Sequence, residues 1–152
     1  MRDRMSIRPA RPDEAARVAA IVEAAYTPWV SQIGQRPGPL DDDYAARVAA
    51  GQTFVLEAAD GAISGILVLE DQPDHLLLDN IAVDPARKGM GDGSRLLDFA
   101  EEEARRRGFA EIRLYTHQKM AANIAIYLKR GYVETGRRVE KGLPRVFMAK
   151  QV

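Results

Sequence analysis

A mixed α/β fold, of the α+β kind, is what this sequence predicts. Three observations carry the prediction. Apolar runs of strand period alternate with segments of helical period along the chain. Asp60-Gly61 between two such runs is a hairpin signal. Three glycines at every second position, Gly89, Gly91 and Gly93, separate a strand-like run from a helix-like one.

Residues 5–8 read as a short first strand. Pro12-Asp13-Glu14 opens a helix running to about residue 25: proline suits the first turn, the acids suit the helix dipole, and Val18, Ile21 and Val22 recur at helical spacing. Residues 26–40 hold Pro28, Gly34, Pro37, Gly38 and Pro39 and are predicted to be mostly loop. A short helix follows over 41–50, ended by Gly51. Strands over 52–57 and 63–70 flank Asp60-Gly61, and another covers 76–83 after the turn at Asp71-Gln72-Pro73-Asp74. Residues 93–107 form a helix stopped by Gly108, and the pairs Glu101/Arg105, Glu102/Arg106 and Glu103/Arg107 predict a solvated, charged outer face. A strand over 111–116, a helix over 121–130 closed by Gly131, and a strand pair over 132–138 and 145–150 complete the order β-α-α-β-β-β-α-β-α-β-β.

A chain of 152 residues is expected to form one domain, over 1–152. Its 22 basic and 22 acidic residues cancel, which argues against nucleic acid or a membrane surface as the main partner. Cysteine is absent, which removes disulfides, thiolate metal sites and a cysteine nucleophile. The start, Met1-Arg2-Asp3-Arg4-Met5, lacks an apolar stretch of signal-peptide length, and no run approaches a membrane span. A soluble, cytoplasmic protein is the expectation.

The stretch from Val83 to Leu97 points to a ligand. After the strand-like run come Pro85, the three glycines and then Ser94 at the start of a helix. Glycines let main-chain N–H groups converge on an anion, and the new helix offers its positive end, so the segment reads as a phosphate cradle. The Gly-Lys-Ser/Thr sequence of a nucleotide P-loop is missing, so Ser94 donates to phosphate or begins the helix. His75 and His117 have no ligand-spaced partner, and no metal site is expected.

This order, with Lys88-Gly89-Met90-Gly91-Asp92-Gly93 in the loop and Val83, Pro85, Leu96 and Leu97 flanking it, resembles the GNAT (Gcn5-related) N-acetyltransferase superfamily over essentially the whole chain. Tyr127, Gly131 and Tyr132 match the second family block. The resemblance implies a mostly antiparallel central sheet of six to seven strands flanked by about four helices, with strands 4 and 5 splayed. It implies acetyl-CoA as acyl donor and a primary amine as acceptor, joined in a ternary complex without a covalent intermediate. Homodimers are common among such proteins. Lys88 stands where the family has Gln or Arg, which keeps the cation without the planar fork. Asp92 stands where the family tucks an apolar residue beneath the loop, either facing the pyrophosphate or turned outward to suit the helix N-terminus. Met120 holds the place of the family's asparagine toward the pantetheine arm, with Asn123 one helical turn before Tyr127 as the substitute.

Cofactor contacts are thereby expected at Ile81, Ala82, Val83, Lys88, Gly89, Met90, Gly91, Gly93, Ser94, Asn123 and Tyr127. Tyr127 is the candidate acid for the departing thiolate; its other reading is an aromatic core residue. Asp79 is the preferred base, direct or through water, since period-two alternation puts Asp79, Ile81 and Val83 on one strand face; its other reading is a strand-edge acid bonded to backbone or solvent. Tyr26, Trp29 and Tyr44 are expected to wall the acceptor pocket. Asp41, Asp42 and Asp43 either attract a cationic amine or cap a helix. An enzyme is the first reading, a non-catalytic acyl-CoA-binding or regulatory domain the second, and a nucleotide-binding module the third.

Overall fold

The computed structural model describes residues 5–34 and 36–152. Its seven-stranded sheet has the order β1-β2-β3-β4-β5-β7-β6. The strands are β1 (Met5–Pro9), β2 (Thr53–Ala58), β3 (Ile63–Asp71), β4 (Leu76–Val83), β5 (Glu111–His117), β6 (Val133–Glu140) and β7 (Leu143–Gln151). The helices are α1 (Ala15–Ile33), α2 (Tyr44–Ala49), α3 (Asp92–Arg106) and α4 (Ala121–Lys129). Every neighbouring pair is antiparallel except β4 and β5. No helix among the described residues is long and apolar enough to cross a membrane.

Alternation along β3 explains the two layers. Ile66 and Val68 point to one face, where Val18, Ile21 and Val22 of α1 and Tyr44 of α2 cover them. Leu67 and Leu69 point to the other and pack with Leu96, Leu97, Ala100 and Ala104 of α3. A strand buried on both faces reads as a continuous apolar run, as this one does. Helix α3 lies so close to β3 that a Cβ on Gly65 would stand 3.0 Å from Leu96 Cδ1.

Three expectations need correction. Helix α1 does not stop near residue 25 but runs through Pro28 to Ile33, so Tyr26 and Trp29 stand on a helix and not in a loop. Proline removes one intrahelical bond, to the carbonyl of Ala24; Ala24 lies on the exposed side of the helix, where a lost backbone bond costs least. The charged face of α3 is not wholly solvated, because Glu101 and Glu103 are buried. Glu101 bonds Lys150 of β7 at 2.8 Å and Arg130 after α4 at 3.1 Å, clamping α3 to its neighbours.

The third correction concerns β4. Val68 pairs with Asn80 but Leu69 pairs with Leu78, so Asp79 is an extra residue, a β-bulge. Alternation resets there. Leu76 and Leu78 face α3, whereas Asn80 and Ala82 are buried toward α1. Ile81 and Val83 pack on the α3 side. Asp79 therefore does not share a face with Ile81 and Val83. The same bulge ends the parallel pairing with β5, whose last rung is Leu78 with Leu114. Beyond it the two strands diverge, as the resemblance implies.

Candidate active site

The split between β4 and β5 opens cavities toward both layers. One, with room of about 450 Å³, lies against the glycine loop; its wall includes Ile81, Ala82 and Val83 of β4, Lys88, Gly89, Gly91, Gly93 and Ser94. A narrow neck between the diverging strands follows, lined by Tyr26, Asp79, Asn80, Tyr115, His117 and Tyr127 among others. On the far side a cavity of about 560 Å³ takes Asp79 and Tyr115 into its own wall. The three share residues in sequence: Tyr26, Ile81, Met120, Asn123 and Tyr127 belong to both loop-side cavity and neck, and Asp79, Tyr115, Leu143 and Arg145 to both neck and far cavity.

Toward the glycines the loop-side wall is main chain. Gly89 and Gly91 hold φ of 82° and 84°, a backbone that only glycine adopts without strain. The N–H groups of Gly89, Gly91, Gly93 and Ser94 find no backbone acceptor among the described residues, and those of Gly93 and Ser94 lie in the first turn of α3 where no intrahelical acceptor exists. A Cβ added at Gly89 or Gly93 would meet nothing. Open donors at a positive helix end fit a pyrophosphate, so the residues present suit coenzyme A.

Asp92 takes neither orientation that its position suggested. Its carboxylate turns inward, fully buried, and receives Arg87 Nε and Nη2 at 2.9 and 3.0 Å, Arg95 Nη1 at 3.0 Å and Ser64 Oγ at 3.2 Å. The Arg87 pair holds this carboxyl below the usual range against the opposing effect of burial. Two cations within reach compensate the acid, so it braces the loop against β3 and leaves the anion cradle open.

In the neck, Tyr127 is buried, and burial pushes its phenol up to about 12. Its ring meets Tyr132 edge-on at 5.8 Å, which orients it on the core. Opposite stands a relay that the sequence reading missed. Tyr26 Oη donates to Asn80 Oδ1 at 2.7 Å, Asn80 Nδ2 donates to Tyr44 Oη at 2.9 Å, and Tyr44 Oη donates to the Pro39 carbonyl at 2.6 Å. One hydrogen-bond chain thus ties α1, the bulge, α2 and the proline-rich segment together. Tyr44 serves that chain and does not line the cavities, contrary to its expected place in an acceptor wall. Trp29 lines the loop-side cavity rather than the far one. Met90 is exposed and stands outside the loop-side wall, although its neighbours form it.

Asp79 accepts from Tyr115 Oη at 2.9 Å on Oδ1 and from Arg47 Nη2 at 3.1 Å on Oδ2. Each oxygen keeps a lone pair for a further donor. His117, at the end of β5, accepts the Lys119 N–H on Nδ1 at 3.1 Å, so the neutral ring carries its proton on Nε2. Burial lowers its pKa, with Lys119 and Arg145 acting in the same direction, and the ring is neutral at pH 7. The acids before α2 are already engaged. Asp43 caps the helix through Ala46 N–H at 3.1 Å, Asp42 pairs with Arg47 at 3.1 Å, and Asp41 with Arg36 at 2.7 Å. No group of metal-ligating side chains occurs among the described residues.

Splayed parallel strands, a glycine loop feeding a helix and cavities on both sides of the sheet define an acyltransferase architecture. Solved structures share it. A GCN5-related N-acetyltransferase from Rhodopseudomonas palustris is 28% identical with TM-score 0.79, covering 100% of this chain and 99% of that one. The PaiA N-acetyltransferase of Thermoplasma acidophilum, solved with coenzyme A, superposes at TM-score 0.82 with 17% identity over 98% of this chain and 99% of that one. The ribosomal-protein-S18-alanine N-acetyltransferase of Escherichia coli reaches 0.75 with 22% identity over 98% and 94%. No curated protein sequence matches the chain. The profile of the Acetyltransferase (GNAT) family matches residues 18–132, and the chain belongs to that family.

Proposed function

We propose that this protein transfers an acetyl group from acetyl-CoA to a primary amine by direct attack. The observation that carries the reading is the succession of cavities with shared walls, from the open amides of the glycine loop, through the neck holding Tyr127 and Asp79, to a separate cavity beyond. Donor and acceptor then meet end to end across the sheet, and no covalent enzyme intermediate is needed. The main-chain amides at Gly89, Gly91, Gly93 and Ser94 hold the pyrophosphate, with Lys88 adding charge. The pantetheine arm lies along the unpaired edge of β4 at Ile81, Ala82 and Val83, beside Asn123, and brings the thioester to the neck.

An aliphatic amine with a pKa near ~10.4 is almost wholly protonated at neutral pH and must lose a proton before it attacks. Asp79 is the group that receives the ammonium, on the lone pairs that Arg47 and Tyr115 leave, and passes the proton to water in the far cavity. The neutral nitrogen then bonds to the carbonyl carbon, a main-chain N–H near Val83 holds the oxyanion, and the carbon–sulfur bond breaks. Tyr127 donates its hydrogen to the departing sulfur and regains one, through water, from the second proton that the nitrogen sheds as the amide forms. Burial raises the pKa of this phenol, so the hydroxyl holds its proton at neutral pH. Acetyl-CoA and an ammonium thus give the amide, coenzyme A as thiol and one proton.

Thiol release from acetyl-CoA tests this directly. Release that depends on an added primary amine is expected. Stabilisation by acetyl-CoA without amine-dependent release across a broad panel would establish the acyl-CoA-binding reading in its place, and stabilisation by ATP in preference to coenzyme A would replace both.

A further inference from the structure

The far cavity is lined by four cations, Arg36, Arg47, Lys141 and Arg145, and three carboxylates, Asp41, Asp42 and Asp79. Their pairing is uneven. Arg47 alone holds Asp42 and Asp79, each at 3.1 Å, and Arg36 holds Asp41 at 2.7 Å. All three acids of the wall are therefore engaged by two arginines. Lys141 makes no ion pair with a described residue. Arg145 gives Nη1 to Glu140 at 3.0 Å, a carboxylate outside this cavity. Its other amino group faces the cavity wall at Gly38, where an added Cβ would stand 3.1 Å from Nη2. The guanidinium lies over the Tyr115 ring at 4.4 Å, and only 12% of the side chain is exposed. A partly desolvated, stacked guanidinium with a free edge and an unpaired ammonium thus share one wall, while Asp79 stands at the junction with the neck.

We propose that the amine acceptor also carries a carboxylate, with its ammonium at Asp79 and its carboxylate between Arg145 and Lys141. The proposal rests on the transfer reading above and specifies its acceptor as an amino acid rather than a simple amine or a polyamine. Arginine and lysine together recognise a carboxylate by charge-assisted hydrogen bonds, and the stacked ring keeps the guanidinium plane in place to offer them. A second ammonium on the acceptor would instead face uncompensated positive charge, so a diamine is disfavoured.

The test is calorimetric titration of the protein with coenzyme A present, using pairs of amines that differ in the carboxylate: glycine and methylamine, γ-aminobutyrate and butylamine, ε-aminocaproate and hexylamine, with putrescine as the second cation. In at least one pair the amino acid is expected to bind about tenfold more tightly or better, as a charge-assisted hydrogen bond provides. Lys141 holds a left-handed φ of 53°, a conformation that asparagine and aspartate tolerate, so Lys141→Asn and Lys141→Asp keep the turn. The preference should shrink severalfold in the first variant and vanish or reverse in the second. Alkylamines or putrescine binding as well as every amino acid, no binding by any of them, or a preference untouched in Lys141→Asp would overturn the proposal. A bound amino acid that elicits no thiol release from acetyl-CoA would overturn the transfer reading alone.

Discussion

The two cavities that meet at the split between β4 and β5 are made of different material. The loop-side groove contains one short stretch, residues 88–94, whose main-chain amides are held open by glycine, set among apolar and aromatic side chains of α1, β4, α3 and α4. The far cavity draws charged side chains from the segment before α2, from α2 itself, from β4 and from the β6–β7 hairpin, and nearly every one is held by another. Main-chain donors cannot be exchanged by point mutation without changing the backbone, whereas side-chain pairs can be rewired one at a time. A ligand shared by many proteins suits the first kind of wall and a ligand particular to one protein suits the second.

The sharpest way to break this contrast is Gly93→Glu. Outside its own turn of helix nothing lies within 4 Å of the added Cβ, and an acid suits the first turn of α3, so the fold should keep or slightly gain stability. The carboxylate would nevertheless occupy the cradle, and coenzyme A binding should be abolished in calorimetry while the thermal midpoint holds. Binding that survives would remove the loop from donor recognition.

Tyr127→Phe comes next. A positioned proton donor contributes typically 10²–10⁴-fold, so kcat should fall by about that factor while the KM for acetyl-CoA changes little, because only a hydroxyl is lost from a buried ring. An unchanged kcat would return Tyr127 to the core.

Asp92→Asn has the smallest expected effect, of about 2 kcal/mol in urea unfolding at pH 7, since it takes the buried carboxylate charge away from Arg87 and Arg95 while both keep contact with water. Its pH dependence has a definite sign. Folding depresses the Asp92 pKa, so its contribution is complete above the unfolded value near ~3.9 and is lost as pH falls through the lower folded value. The stability gap between wild type and variant should therefore narrow in acid. A constant gap would assign the loss to shape and not charge.

How much of this was legible in the chain follows the same division. Strand and helix order, the hairpin at Asp60-Gly61 and the glycine loop are local patterns, and each appears where alternation, helical spacing and turn chemistry place it. The end of α1 departs from the expectation because proline is a local signal against helix, while the exposed position of Ala24 makes the break cheap. The face of Asp79 was misread because a single extra residue in β4 resets the alternation, and nothing in Leu78-Asp79-Asn80-Ile81 marks it. No local pattern marks Tyr115, Arg47, Lys141 or Arg145, and little marks Asn80. One faint signal existed: an asparagine inside an apolar strand must find partners, and here it finds Tyr26 and Tyr44.

The amino-acid sequence by itself determined the fold class, the family and the glycine loop that opens α3, because these depend on period, turn chemistry and glycine within a few consecutive residues. Only the tertiary structure decided which way Asp79 faces, that Asp41, Asp42 and Asp43 are already engaged, and that Arg145 and Lys141 share the wall of the far cavity. Ion pairing is a competition among side chains brought together from distant parts of the chain, and its outcome is set by distance in space, which spacing along the chain does not contain.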